Sequence, residues 1–478
     1  MPSKKRIRKK RTGASATRPR ISLNMIVRDE ADFIKECLAS VKDVVDEMIV
    51  VDTGSSDSTP DLARSLGAQV HSFAWCDDFA AARNNGLKHC TGDWVLSLDA
   101  DERLDPETKD DIRQCVAKDR VDIWYLRILN LYQGADAGGE VRLARLFRRV
   151  EGMKYVGRIH EQLEQNLTSA VAGHSQARIL HHGYDPEVMR SKNKYARNLA
   201  LLESALRESE DGPPMLRSNY LHYWAMAAHG AERLRRFEMF ADYVEQHPDL
   251  ASQRVAWIPS GLLHYAVALR NANRPKEAAK VARDLLRRFG EAPYLHALVA
   301  AGALADGRIE EAETEVRRAL DANAPLDAAH REYVVPIEIT QSIPQLVLAQ
   351  VEERRRRWPQ AEQAYASLVA KHESARPRLA YVQLVQGKHI EALDTIENGA
   401  RERTECGPDL SCLAFVLSLI ARSSAGLLWW GERVRANAAA HGLSASILSR
   451  VEGWSQERPF QLKDFPELVN ALQLPVPN

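Results

Sequence analysis

The chain has 478 residues, more than one ordinary core holds, so two or three domains are expected. Apolar residues make up 45% and charged residues 27%, which are soluble globular proportions. No stretch reaches the roughly 18 uninterrupted apolar residues of a membrane span, and the basic N-terminus lacks the apolar segment of a secretion signal.

Net charge is zero but unevenly placed. Residues 1–20 hold nine Lys or Arg and no acid, so the remainder is negative by the same nine. Such a tail is expected to be disordered and solubilising, with contact to RNA, DNA or anionic lipid as the alternative. The rest of the chain has no basic excess, which excludes nucleic-acid reading as the main function. Six cysteines (Cys37, Cys76, Cys90, Cys115, Cys406 and Cys412) are scattered without a CxxC pair. They suggest neither a zinc site nor a disulfide framework, and fit a reducing cytoplasm. The basic tail leaves attachment to the inner face of the membrane open.

Residues 21–27 predict a short buried strand, and residues 30–44 a helix with Phe33, Ile34, Cys37, Leu38, Val41 and Val44 on one face. A second buried strand, Met48 to Val51, ends at Asp52. The polar run Thr53 to Thr59 is a turn, with Ser58 or Thr59 capping a helix that begins near Pro60. Residues 68–71 predict a third strand, 78–90 a helix, and 94–98 a fourth strand ending at Asp99. Alternation at this density implies a parallel sheet with helices on both faces. Ligands of such sheets sit beyond the carboxyl ends of the strands. Here those ends carry Arg28, Asp29 and Glu30, then Asp52, then Asp99 and Asp101.

Residues 121–132, 141–148, 153–160 and 177–182 read as further strands of mixed direction. From about residue 191 helical periodicity takes over. The segments beginning at Arg274 and Arg308 are alike and lie 34 residues apart, the tetratricopeptide period. Related helix starts follow at Trp358 and His389, and Gly307 and Gly387 fall in inter-helix turns. A degenerate solenoid of stacked helix pairs is expected. The resulting division is a basic tail (1–20), an α/β domain (21–190), helical repeats (191–460) and a C-terminal extension (461–478). Trp224, Trp257, Trp358, Trp429, Trp430 and Trp454 lie at helical spacing and are expected in the repeat core.

The Asp99-Ala100-Asp101 segment, followed by Glu102, carries the chemistry. Two carboxylates two residues apart, delivered by an apolar strand, can bind a hard divalent cation or divide between metal and a ribose hydroxyl. Mg²⁺ or Mn²⁺ there would neutralise charge on a departing diphosphate. Nothing suggests the paired carboxylates of a glycosidase.

Residues 21–105 resemble family 2 glycosyltransferases of the GT-A fold. The segments that carry the resemblance are Ser22–Glu30, Ile49–Asp57, Asp78–Asn84 and Gly92–Glu102. Fusion to tetratricopeptide repeats is similar to a bacterial subgroup that includes the sublancin-type peptide S-glycosyltransferases. The fold class implied is a GT-A α/β domain followed by an all-α solenoid.

The resemblance also implies site roles. Asp52 would contact the uracil or ribose of a UDP-sugar, and Val27, Arg28 and Glu30 would line the nucleotide pocket. Asp57 would hold the Gly54-Ser55-Ser56 turn against it. Arg83, with Asn84 beside it, would reach the nucleotide-sugar, as would Asp99 and Ala100. Arg145 would hold the diphosphate. Asp101 and His181 would hold Mg²⁺ or Mn²⁺, and Asp101 and Glu161 would be catalytic, with Glu161 as the base of an inverting transfer. Trp75 is a candidate for sugar stacking.

The expected function is transfer from a nucleotide-sugar donor to a peptide, protein or glycan acceptor held by the repeats, with homo-oligomerisation left open. The alternatives are a non-catalytic scaffold with a degenerate transferase domain, and a nucleotidyltransferase. The latter lacks its usual Gly-rich loop and Lys, since Arg28-Asp29-Glu30 follows the first strand.

Overall fold

The computed structural model describes residues 18–131, 140–164, 170–182, 194–252, 255–321, 342–369, 375–401, 408–421, 430–432, 434–436, 441–452 and 461–471. Most of the basic tail (residues 1–17), Cys406, Trp429 and Trp454 lie outside the described residues. The chain forms two compact units, one running to Gly261 and the other beginning at Leu262. The helices between residues 194 and 261 thus belong with the sheet, whereas the sequence places the change of domain near residue 190.

Among the described residues the first unit has ten strands. They are β1 (Ile21–Val27), β2 (Glu47–Asp52), β3 (Gln69–Ser72), β4 (Trp94–Ser97), β5 (Glu102–Leu104), β6 (Ile123–Asn130), β7 (Glu140–Arg148), β8 (Tyr155–Val156), β9 (Gln162–Leu163) and β10 (Ala172–His181). Eight join one sheet in the order β3-β2-β1-β4-β7-β6-β10-β5. The β3-β2-β1-β4 half is parallel, as the β-α alternation predicts. Beyond β4 the sheet is mixed: β7 runs antiparallel to β4 and β6, β10 parallel to β6, and β5 antiparallel to β10.

Two sequence expectations are corrected. Residues 153–160 do not form a sheet strand; only Tyr155–Val156 is extended, paired with β9 in a separate ribbon. The turn expected after Asp101 contains β5, three residues long, whose Glu102 lies opposite His181.

Strand β1 shows how the sheet seats its helices. Ile21, Leu23, Met25 and Val27 enter a core with Ile34, Cys37, Leu38 and Val41 of α1 (Ile34–Val41) and Ile112, Cys115 and Val116 of α4 (Lys109–Val116). Helix α2 (Thr59–Ser65) adds Ala63 to the same cluster. The alternate residues Ser22 and Asn24 are buried and polar. Ser22 Oγ donates to Glu47 and accepts from the Gly92 amide. Asn24 donates to the Arg83 carbonyl in α3 (Phe79–His89) at 3.1 Å. The Asn24 contact ties α3 to the sheet, and the Ser22 contacts tie β1 to β2 and to the turn before β4.

In the second unit the helices Pro275–Phe289 and Ile309–Leu320 start 34 residues apart, the offset seen in the sequence. Gly307 and Gly387 adopt the left-handed backbone (φ +76° and +78°) in inter-helix turns. Gly302 abuts Ala279, so a side chain at 302 would collide with the neighbouring helix. The short helix Pro466–Ala471, in the segment set apart as an extension, places Leu468 and Val469 in the core of the last repeats. Of the tryptophans expected in the repeat core, Trp430 is buried and Trp358 half-buried in the second unit, while Trp224 and Trp257 belong to the first, Trp257 buried and Trp224 half-buried beneath the Arg236 guanidinium.

Gly86 lies where α3 crosses β1, and a Cβ there would overlap the Asn24 amide oxygen and sit 3.1 Å from Val51 Cγ2. Gly86→Ala is expected to lower stability by about 1–3 kcal/mol, read as a shift in the urea midpoint at unchanged slope.

Candidate active site

The carboxyl ends of β1, β2 and β4 meet at one edge of the parallel half. At the β1 end the chain turns through Asp29 in a left-handed conformation (φ +52°). The Asp29 amide donates to Ser55 Oγ at 3.0 Å, and its carboxylate accepts from the Ser56 amide and hydroxyl at 2.7 and 2.9 Å. Asp52 Oδ1 accepts from the Ser55 amide at 3.1 Å. The loops after β1 and β2 are thereby tied into one rim, with Val27 buried beneath it and Arg28 exposed on it.

Asp57 belongs to this rim in a different way from the one expected. Its two oxygens accept from the Thr59 amide at 2.9 Å and the Ala31 amide at 3.1 Å. Asp29, not Asp57, holds Ser56. The expected capping of α2 by Ser58 or Thr59 is also replaced. Ser58 makes no side-chain cap bond, and Thr59 Oγ1 accepts from the Glu30 amide at 2.8 Å.

The centre of the site is charged and buried. Helix α3, capped by Asp78 on the Ala81 amide, delivers Arg83 under the end of β4. Arg83 donates to Ser97 Oγ at 3.1 Å, to Asp99 at 2.7 Å and, through Nε, to Glu161. Arg145 on β7 reaches the other Asp99 oxygen at 3.0 Å and Glu102 at 2.5 Å. Glu102 in turn accepts from the Asp99 amide at 2.9 Å. Asp99 is thus held between two guanidiniums. Burial alone would raise its pKa, but Arg145 and Arg83 hold it far below the usual carboxylate range. Burial raises the Glu102 pKa. The Arg83 and Arg145 guanidiniums are buried while the Asp99 side chain is 38% exposed, so loss of Asp99 leaves two buried cations short of a partner.

Asn84 does not face the same space. Its amide donates to the Tyr155 carbonyl at 2.8 Å and accepts from the Tyr155 amide at 2.7 Å, so it ties β8 to α3. Arg145 is engaged by Asp99 and Glu102, and its Nε is buried without a hydrogen-bond partner among the described residues. Ala100 is buried between the two aspartates.

Asp101 and His181 come together, with His181 Nε2 3.7 Å from Asp101 Oδ1. The far ring nitrogen, Nδ1, lies 2.9 Å from Asn130 Oδ1 at the end of β6. Since an amide oxygen only accepts, Nδ1 carries the proton and Nε2 is turned toward the carboxylate. His182 is directed elsewhere, with its amide on the Asp101 carbonyl at 2.9 Å. Among the described residues no cluster of three or more His, Cys, Asp or Glu is placed to hold a metal ion. Trp75 packs edge-on against Phe79 and donates to Asp77.

The residues missed in the sequence are Ser97 and Asn130, the last residues of β4 and β6. The sequence places Asp29 at a strand end, Ser55 in the turn and Thr59 at a helix cap, but their hydrogen bonds within the rim come from the structure alone. A polar residue at a strand end does not by itself separate a site residue from an ordinary loop end.

Residues 22–174 match the family model of glycosyl transferase family 2. This part of the chain therefore matches glycosyl transferase family 2, and helical repeats follow it. The chain is 31% identical over 205 residues to the SPbeta prophage-derived glycosyltransferase SunS of Bacillus subtilis, covering 41% of this chain and 48% of that one. It is 37% identical over 201 residues to a TPR repeat-containing protein of Synechococcus elongatus, covering 40% and 49%. The chain therefore spans about half the length of these curated relatives. Among solved structures, a glucosyl-3-phosphoglycerate synthase from Mycobacterium tuberculosis in complex with Mn²⁺, UDP and glucosyl-3-phosphoglycerate is 24% identical, with 24% of this chain and 45% of that chain covered and a TM-score of 0.20. A tetratricopeptide repeat protein from Parabacteroides merdae is 14% identical, with 60% and 94% covered and a TM-score of 0.38.

The rim makes the fold acid-sensitive. The Ser56 amide holds the Asp29 pKa below its ordinary value, and at Asp57 hydrogen bonds from Thr59 and Ala31 outweigh the opposing effect of burial. A carboxylate depressed in the folded state stabilises it fully above about pH 4 and loses that contribution as pH falls further. Asp57→Asn is therefore expected to lose less stability than the wild type between neutral pH and pH about 3, measured as urea midpoints at both pH values.

Proposed function

We propose that the chain transfers a sugar from a nucleoside diphosphate sugar, with UDP as the nucleotide, to a peptide, protein or glycan acceptor. The observation that carries this reading is the Asp99 centre, a carboxylate pinned by two buried guanidiniums at the strand ends of a family 2 domain. In this reading the rim built on Val27, Arg28, Glu30, Asp52 and Asp57 receives the nucleotide. Asp99 and Ala100 border the sugar, and Arg83 and Arg145 supply fixed positive charge where the diphosphate departs.

The donor set at Asp101 and His181 fits Mg²⁺ or Mn²⁺. One carboxylate and one imidazole converge, and Asn130 at the far ring nitrogen fixes the orientation of the ring. The central carboxylates Asp99, Asp101, Glu102 and Glu161 also outnumber the guanidiniums Arg83 and Arg145, so an added cation suits a site that must accept a diphosphate. The ion would neutralise negative charge on the leaving group. Two protein ligands leave the remaining positions to substrate phosphate and water, the usual arrangement for these ions.

Glu161 is the proposed base. Arg83 holds one of its oxygens, which orients the carboxylate, and its role is to take the acceptor proton as the sugar is attacked on the face opposite the diphosphate. The repeats are the proposed seat of the acceptor.

Calorimetry on the full chain tests the donor assignment. UDP should bind more tightly with Mn²⁺ than without it, and Asp101→Ala should remove the metal-dependent gain. A folded protein that gives no heat with UDP in either condition would overturn the reading. Glu161→Gln should leave UDP binding intact and lower turnover by about 100-fold or more.

A further inference from the structure

We propose that Tyr223, on the helix Pro214–Met226, is a positioning residue that acts through His160 to hold the Glu161 carboxylate at the centre of the site. This rests on the reading of Glu161 as the base. The residue lies more than sixty positions along the chain from Glu161, in a helix that the sequence assigns to the repeats.

Glu161 stands on a loop with little internal structure. Between β8 and β9 the chain runs Gly157-Arg158-Ile159-His160-Glu161, with Gly157 and His160 both at positive φ (+99° and +54°). A histidine keeps a left-handed backbone only where its surroundings impose it. The imposing contact is a parallel stack of the His160 ring on the Tyr223 ring, with centroids 3.5 Å apart and planes 5° from parallel. Burial pushes the His160 pKa down to about 4, so the ring stacks as a neutral imidazole at neutral pH. The next residue then points to a different partner, Arg83.

The helices Lys194–Glu208 and Pro214–Met226 also hold Gly157, Arg158 and Ile159. A Cβ at Gly157 would sit 3.2 Å from Leu216. The Arg158 amide donates to the Tyr220 hydroxyl at 2.9 Å, and its guanidinium pairs with Glu208 at 2.8 Å. Ile159 is buried among Leu201, Leu202, Ala205 and Tyr220. On the other side, the Phe79 amide at the start of α3 donates to the Arg158 carbonyl at 2.8 Å. The loop is thus clamped between the helix that carries Arg83 and the helices Lys194–Glu208 and Pro214–Met226. An interaction of this kind orients a reacting group without touching substrate, and small misplacements of such a group are costly.

The test uses the full chain and three variants: Tyr223→Ala, Tyr223→Phe, which keeps the ring, and Tyr223→Met, which keeps bulk without a stack. Turnover is read as UDP release from UDP-glucose, UDP-galactose and UDP-N-acetylglucosamine with Mn²⁺. Loop order is read as deuterium uptake of peptides spanning residues 157–164, and donor binding as the calorimetric UDP affinity. Tyr223→Ala and Tyr223→Met should lower kcat by about tenfold or more, with KM and UDP affinity within about twofold and faster exchange across the loop. Tyr223→Phe should behave as the wild type. Wild-type kcat in Tyr223→Met overturns the proposal, as does wild-type exchange in it, whether or not Tyr223→Ala folds. A wild-type protein that neither binds UDP nor releases it would instead defeat the functional reading, and the exchange of the variants would still decide whether Tyr223 orders the loop.

Discussion

Two guanidiniums buried around one carboxylate set the geometry of the first unit. Arg83 comes from α3, Arg145 from β7, and Asp99 from the end of β4. Two successive elements and a distant third are therefore locked at one point, because a buried charge without its partner is far more costly than the pair. The rest of the unit serves that point. Asn24 fixes α3 on β1, and Asn84 fixes β8 on α3. Ser97 directs one arm of Arg83, and Glu102 one arm of Arg145. The apolar face of the sheet supplies the burial that makes these charge contacts strong.

The second unit applies the same constraint to a different end. Glu353 is fully buried, paired with Arg378 at 3.1 Å and accepting from the Tyr365 hydroxyl at 2.5 Å. Around it the helices meet through alanines, tyrosines and leucines, with charged residues on outward faces. The buried group here links neighbouring helices through Arg378 and the Tyr365 hydroxyl. A buried ion pair is therefore not by itself a site; what distinguishes Asp99 is its place at the strand ends beside Asp101 and His181.

The parallel half of the sheet and its acid-tipped strands were legible because each strand is a short apolar run ending in a polar turn. The periodic signal is strong when both faces are buried. The mixed half was less so. Strand β5 is three residues of a turn-like, charged segment, and it is extended only because β10 lies beside it. Site residues on strand ends could be read from position, whereas their partners could not. That Glu161 meets Arg83, that Asn84 serves Tyr155, and that Asp29 holds Ser56 depend on how loops far apart in sequence close. The role of Tyr223 was hidden for the same reason. The sequence places position 223 only within the helical region, and the folded chain alone shows the loop that Tyr223 covers.

The eight-stranded sheet has another property that follows from its order. Its two outermost strands are the four-residue β3 and the three-residue β5. An open sheet offers unpaired amides and carbonyls at its borders to any extended chain nearby, and the offer grows with the length of the border strand. The β3 border is too short to template a long addition, and β1, β6 and β7 are enclosed. At the other border β5 covers only Ile179–His181 of the ten-residue β10. Just beyond that cover the Arg178 amide is taken by Thr108 Oγ1, so a loop side chain occupies a donor that an added strand would need, with no proline or lysine in β3 or β5.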